Sequence, residues 1–225
     1  DQMTVFPSLQ NRDGRIPIAI SNHDVTDLQG LSTVPALAFG TWRTYQADPQ
    51  ISFLNEVYDS LCRNIEWWYA HRQPRDDGVF GFAHGQEGSG DDHPRADEGS
   101  GALRGGMKHF LSPDACGFIL MEMHCLARMA DVLGRTQDQT QWRLRIDALN
   151  RRTREVCHDP GDNLFYDVDI ASGQFRRNIS PWHFVPLWAG IPMERALVQD
   201  MIRRHLLGKL MGRAPFPIVS RDDPA

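Results

Sequence analysis

Apolar residues recur at three- and four-residue steps along most of this chain, most clearly as Leu54, Val57, Tyr58, Leu61, Ile65 and Trp68. That spacing lays a stripe on one face of an α-helix, and the stripe stops before Pro74 and the turn pair Asp77-Gly78. An earlier stripe of Leu37, Ala38, Trp42 and Tyr45 begins behind Pro35, with Ser32 and Thr33 as candidate caps. Ser112-Pro113-Asp114 opens a third helix, with serine as cap and proline in the first turn. Its stripe is Ile119, Met123, Leu126, Ala130 and Leu133, and Gly134 supplies the stop. Trp142, Ile146, Leu149 and Val156 mark a fourth helix, closed by Asp159-Pro160-Gly161. A short fifth spans Trp182 to Ala189, and a sixth runs from Met193 to Leu210 after Pro192. Trp67 and Trp68 are adjacent and cannot share a helix face, so the pattern puts at most one of them in the core.

The remaining segments are irregular. Pro7, Asp13-Gly14 and Pro17 break up the first thirty or so residues. Phe165 to Asp169, turning at Ser172-Gly173 into Gln174-Phe175-Arg176, has hairpin character. Between Val79 and Ser112 there is no periodicity and glycine is dense; loops of that length tend to carry function. Helices joined in sequence, with irregular material confined to a few loops, predict an all-α toroid or bundle forming one domain over residues 1–225.

Composition narrows the options. A hydrophobic share of 41% and a charged share of 24% are those of an ordinary globular domain. The net charge of -5 argues against nucleic acid as a partner. The longest apolar run, Cys116 to Met121, is too short to span a bilayer, so no membrane is expected. Cys62, Cys116, Cys125 and Cys157 have no zinc-type spacing and read as buried free thiols, all but Cys157 within helical patterns. They fit a reducing compartment, which favours the cytoplasm. Histidines 84, 93, 109, 124 and 183 show no ligand spacing, so neither a metal nor another cofactor is expected. The start at Asp1 and the turn-rich end at Ala225 suggest a chain cut at both ends.

One segment has no packing motive. Glu87-Gly-Ser-Gly-Asp-Asp-His-Pro-Arg95 crowds three carboxylates, two glycines, a histidine and an arginine into one short stretch. Charged groups are rarely buried unless paired. Glycines let the backbone approach a ligand, and carboxylates beside an arginine handle protons and hydroxyls. Read alone, the segment also fits a solvated acidic loop.

Asp77-Gly78-Val79-Phe80, followed by Glu87-x-x-x-Asp91-Asp92-x-Pro94-Arg95, resembles the inverting α-glycosidases built on an (α/α)6 barrel, which include glycoside hydrolase family 63 and the trehalases. Their loop reads Glu-Ser-Gly-x-Asp-(Asn/Asp)-x-Pro-Arg. The likeness continues in order through Ser112-Pro113-Asp114 with Glu122, Leu126 to Gly134, Leu164 to Asp169 and Phe184 to Ile191. It extends from about Gly14 to the C-terminus, and the branch acting on small α-glucosides and on mannosyl- or glucosylglycerate is the most similar. One departure is plain: Gly88 and Ser89 stand in the opposite order to the family's Ser-Gly, and Gly90 replaces a larger residue.

The resemblance implies a toroid present in part, about half of the barrel, with long loops and a short hairpin. It implies Asp91 as general acid, with Glu87, Asp92, Arg95, Phe80, Trp182 and His183 around a small α-linked oligosaccharide or glycoside. The family's general base has no match before Ala225, so the remainder of the same polypeptide becomes the expected partner, and the fragment alone is expected to be inactive and prone to self-association. Phe80 could instead merely anchor the loop, and Trp182 could be core. Two other classes stay open: a non-catalytic helical carbohydrate-binding or scaffold protein, and a lyase drawing a base from Tyr166 or His93.

Overall fold

The computed structural model describes residues 2–20, 25–26, 30–88, 107–212, 217–220 and 222. Its centre is α4 (Pro113–Val132), in which only His124, Arg128, Asp131 and Val132 escape full burial. A helix apolar nearly all round belongs inside, and α4 packs on α2 (Leu37–Ala47), α3 (Ile51–His71), α5 (Thr136–Cys157) and α6 (Val185–Trp188). By contrast α5 is one-sided. It buries Trp142, Ile146, Leu149, Asn150, Thr153 and Cys157 and turns its arginines and carboxylates outward. Inner helices bridged by amphipathic outer ones are the layering of an α/α toroid, here present in part.

The extended pieces are short. β1 (Ala19–Ile20) pairs with β2 (Val25–Thr26), and β4 (His158–Asp159) with β5 (Leu164–Phe165) across the Pro160-Gly161 turn. The expected hairpin is β6 (Asp167–Asp169) against β7 (Phe175–Arg176), with Val168 opposite Phe175 and Gly173 at φ +70°. Its other edge takes β3 (Phe110–Leu111), with Leu111 opposite Val168. The segment read as one loop from Val79 to Ser112 therefore ends in a strand. Two residues carry no legible alternation, and only the partner strand reveals them.

Other expectations are corrected as well. Residues Gln2–Ser8 form a helix, α1, in the stretch read as irregular. Pro7 sits in its final turn, and contact with α3 holds it: Ser60 Oγ donates to the Pro7 carbonyl at 3.4 Å, and Gln10 Nε2 to the Ser60 carbonyl at 2.8 Å. Trp67 and Trp68 are both buried, at 4% and 0% exposure. Trp68 meets Phe82 edge-on inside, while Trp67 is covered from its own helix end by the His71 ring at 4.7 Å and the Arg72 guanidinium at 4.5 Å. The sixth helix begins as α7 (Arg195–Met201) and continues as a π-helix over Ile202–Leu210. Cys157, read as lying beyond a helix, is the last residue of α5; all four cysteines are free thiols.

The start of α2 differs too. It begins at Leu37 behind Ala36, which offers no side-chain cap, so neither Ser32 nor Thr33 serves it. Glu122, from the middle of α4, does so instead: its two oxygens accept the Ala38 and Phe39 N–H groups, each at 2.8 Å. Those donors are orphans of a helix first turn, where a carboxylate also meets the positive end of the helix dipole. Among the described residues no helix is long and apolar enough to cross a membrane.

Candidate active site

The described ends of the glycine-rich segment meet at Ala83. Ala83 accepts the Met107 N–H on its carbonyl at 3.1 Å and donates its own N–H to Glu87 Oε2 at 2.8 Å. A 3-10 turn over Gly85–Gly88 follows directly. Residues 89–106, with Asp91, Asp92 and Arg95 among them, lie outside the described residues. His93 does too.

Glu87 is the fixed base of that loop. Its side chain has no exposed surface, and its donors come from separate stretches of chain. Arg72 Nε reaches Oε2 at 2.9 Å while Arg72 Nη2 pairs with Oε1 at 2.5 Å, a two-pronged grip matched to the carboxylate plane. The Ser32 N–H adds a bond to Oε1 at 2.9 Å. Arg72 Nη2 also donates to the Gly30 carbonyl at 3.1 Å, which ties the same guanidinium to the segment entering α2. A carboxylate so enclosed and saturated holds chain together; it offers no open face to a ligand.

Gly88 explains the inverted Gly-Ser order. A Cβ there would come within 2.8 Å of the Phe82 ring, and Phe82 is itself only 2% exposed. Position 88 has no room for a serine side chain. Phe80 is likewise closed inside the core, at 0% exposure and edge-on to Tyr69 at 5.0 Å. Its N–H donates to Cys116 Sγ at 3.3 Å, and its carbonyl accepts the Ser112 N–H at 2.8 Å. Of the two roles open to Phe80, the structure gives it the anchoring one: it fastens the loop's approach to the first turn of α4.

Trp182 and His183 belong to a short 3-10 turn, Pro181–Phe184, that packs on α4. His183 is buried, and its Nδ1 accepts the Ser180 N–H at 3.0 Å, so in the neutral ring the proton sits on Nε2. Trp182 stays half-buried against the core. The following residue pair, Val185-Pro186, lies so close to Gly117 that a Cβ there would clash with Val185 at 2.8 Å. Phe80 at Cys116 and Val185-Pro186 at Gly117, directly after the 181–184 turn, thus flank the same end of α4. No group of three His, Cys, Asp or Glu able to hold a metal occurs among the described residues. Two clefts, of about 510 and 390 Å³, lie elsewhere; the first is lined by Asn150, Arg151, Arg154 and His158, and the second by His124, Arg128 and Arg143.

Sequence reasoning missed Arg72 and the role of Glu122. Arg72 left a faint trace, a cation four and five residues after a tryptophan pair at a helix end. Glu122 left only a charge inside the most apolar helix, and burial pushes its carboxyl up to about 7 despite the backbone bonds that pull the other way.

This architecture recurs in solved glycoside hydrolases. A GH63 mannosylglycerate hydrolase from Thermus thermophilus, in complex with glucose, aligns with a TM-score of 0.78 at 16% identity, covering 100% of this chain and 67% of that one. Another structure of it, in complex with Tris and D-glycerate, aligns with a TM-score of 0.78 at 15% identity, over 99% of this chain and 69% of that one. A neutral trehalase from Saccharomyces cerevisiae aligns at 0.66 and 11% identity, over 83% of this chain and 45% of its own. No curated protein sequence matches. The fold is accordingly a partial (α/α)6 toroid of the glycoside hydrolase kind. Over its whole length, residues 1–225, the chain belongs to the family of the mannosylglycerate hydrolase MGH1-like glycoside hydrolase domain.

Proposed function

We propose that this domain hydrolyses α-glucosidic or α-mannosidic bonds with inversion, Asp91 acting as general acid and a carboxylate outside residues 1–225 as general base. The observation that carries the reading is the anchored base of the loop. Glu87, gripped by Arg72, Ser32 and Ala83, holds the stem from which Asp91 follows Gly88 by three residues in a family-type motif. In the reaction the Asp91 carboxyl gives its proton to the glycosidic oxygen as the C1–O bond breaks. Water on the opposite face loses a proton to the base and adds to C1, which requires the two carboxyl groups ~6.5–9.5 Å apart. The products are the inverted sugar and a free alcohol.

Because Arg72 matches the charge of Glu87, the like charge that keeps Asp91 protonated comes from Asp92. Arg95 orients a hydroxyl or a carboxylate, and Trp182 offers its face to the C–H side of the sugar. The family's description points to mannosylglycerate as the first substrate to try, with glucosylglycerate beside it from the sequence resemblance. Full-length protein incubated with these glycosides and followed by proton NMR should release the β-anomer first. Asp91→Asn should lower turnover at least ~100-fold. Release of the α-anomer first, or full turnover by Asp91→Asn, overturns the reading.

A further inference from the structure

We infer that Arg72 is a positioning residue for proton donation, acting through Glu87 on the loop that carries Asp91; this rests on the general-acid reading of Asp91. Arg72 touches none of the proposed reacting atoms. It follows α3 directly, its guanidinium lies over the buried Trp67 ring at 4.5 Å, and each of its three nitrogens has an acceptor. Nε and Nη2 take both oxygens of Glu87, Nη2 also takes the Gly30 carbonyl, and Nη1 takes the His71 carbonyl at 3.0 Å. The carboxylate on the other side of the pair fixes the Ser32 and Ala83 N–H groups. One guanidinium therefore locks three separated segments to a rigid helix end: the run into α2, the stem at Ala83 and the turn ending at Gly88.

The lock sits one residue before Gly88, where the Phe82 ring leaves no space for a Cβ. Placement of a catalytic group to within about half an ångström needs this kind of support, because small displacements cost proton transfer far more than they cost binding. Lysine in place of Arg72 keeps the charge but presents a single point donor, and so cannot span both carboxylate oxygens, reach Gly30 and lie flat on Trp67 together.

The test separates proton donation from every other part of the reaction. Fluoride departs without a proton, so a glycosyl fluoride is hydrolysed without help from the general acid, whereas an alkyl glycoside needs it. Full-length Arg72→Lys, checked by circular dichroism, should lose about 30-fold or more in kcat on the alkyl glycoside with KM changed less than about threefold. Its rate on the α-glycosyl fluoride should stay within about threefold of the parent. Asp91→Asn should show the same selectivity. If Arg72→Lys does not fold, the charge-free pair Arg72→Gln with Glu87→Gln serves, with the same pattern expected. Equal loss on both substrates, or no loss on either, refutes a positioning role while Asp91→Asn still discriminates. An Asp91→Asn variant that fails to discriminate refutes the general-acid reading itself, and the role of Arg72 with it.

Discussion

Glu122 caps a helix to which it is joined only through space: its Oε2 accepts the Ala38 N–H at 2.8 Å across 84 positions of sequence. Burial raises this carboxyl from 4.5 to about 7, and the backbone bonds from Ala38, Phe39 and Leu37 recover only part of the cost. A carboxyl raised in the folded state binds a proton there that the unfolded chain has already released. The stability it contributes is complete below about pH 4.5 and is lost as pH rises through about 7. Glu122→Gln keeps one acceptor and removes the charge, so the variant should gain on the parent as pH climbs from 5 to 8, by ~3 kcal/mol at most. Urea midpoints of both proteins measured across that range test this; parallel curves would show that Glu122 does not titrate.

Gly88→Ser restores half of the family's loop order and should be penalised for it. The new Cβ meets the Phe82 ring in a place with no room to yield, at an expected cost of ~1–3 kcal/mol. Phe82→Leu in the same chain should recover part of that loss. Denaturant midpoints of the single and double variants give the coupling; independent effects would mean that the ring moves aside freely.

Trp182 is half-buried where Phe80 and His183 are closed off. Trp182→Ala should therefore raise KM for the glycoside about tenfold, with a smaller effect on kcat, as loss of an aromatic face does. Steady-state kinetics on full-length protein measure both. An unchanged KM removes Trp182 from the sugar site.

The four thiols should be inert in the native state. Burial pushes Cys62, Cys116 and Cys125 up to about 12 and Cys157 well above its ordinary range. Thiolate is the reactive form, so a disulfide reagent at pH 8 should titrate none of them until denaturant is added. Rapid native labelling of Cys116, Cys125 or Cys157 would contradict their buried positions, and that of the half-buried Cys62 its raised thiol.

The helices were legible because their stripes are long: α3, α4 and α5 each repeat an apolar face over several turns, and periodicity averages out local noise. The β6–β7 hairpin was legible through Gly173. What escaped depends on partners far away in sequence. α1 exists because α3 covers it, β3 because β6 pairs with it, and Trp67 is buried because Arg72 and His71 fold back over it. The site divides in the same way. The motif drew attention to Glu87, but its role came from Arg72, Ser32 and Ala83, and Phe80 became an anchor only once Cys116 and Tyr69 surrounded it.

Two carboxylates finish what the first forty residues begin: Glu87 receives Ser32, and Glu122 receives Ala38 and Phe39. Neither exists as the ribosome releases that stretch. The Ala38 and Phe39 N–H groups in the first turn of α2 must wait for their Glu122 acceptor until α4 has emerged and docked. Assembly here therefore closes backwards, with α2 secured by side chains synthesised long after it.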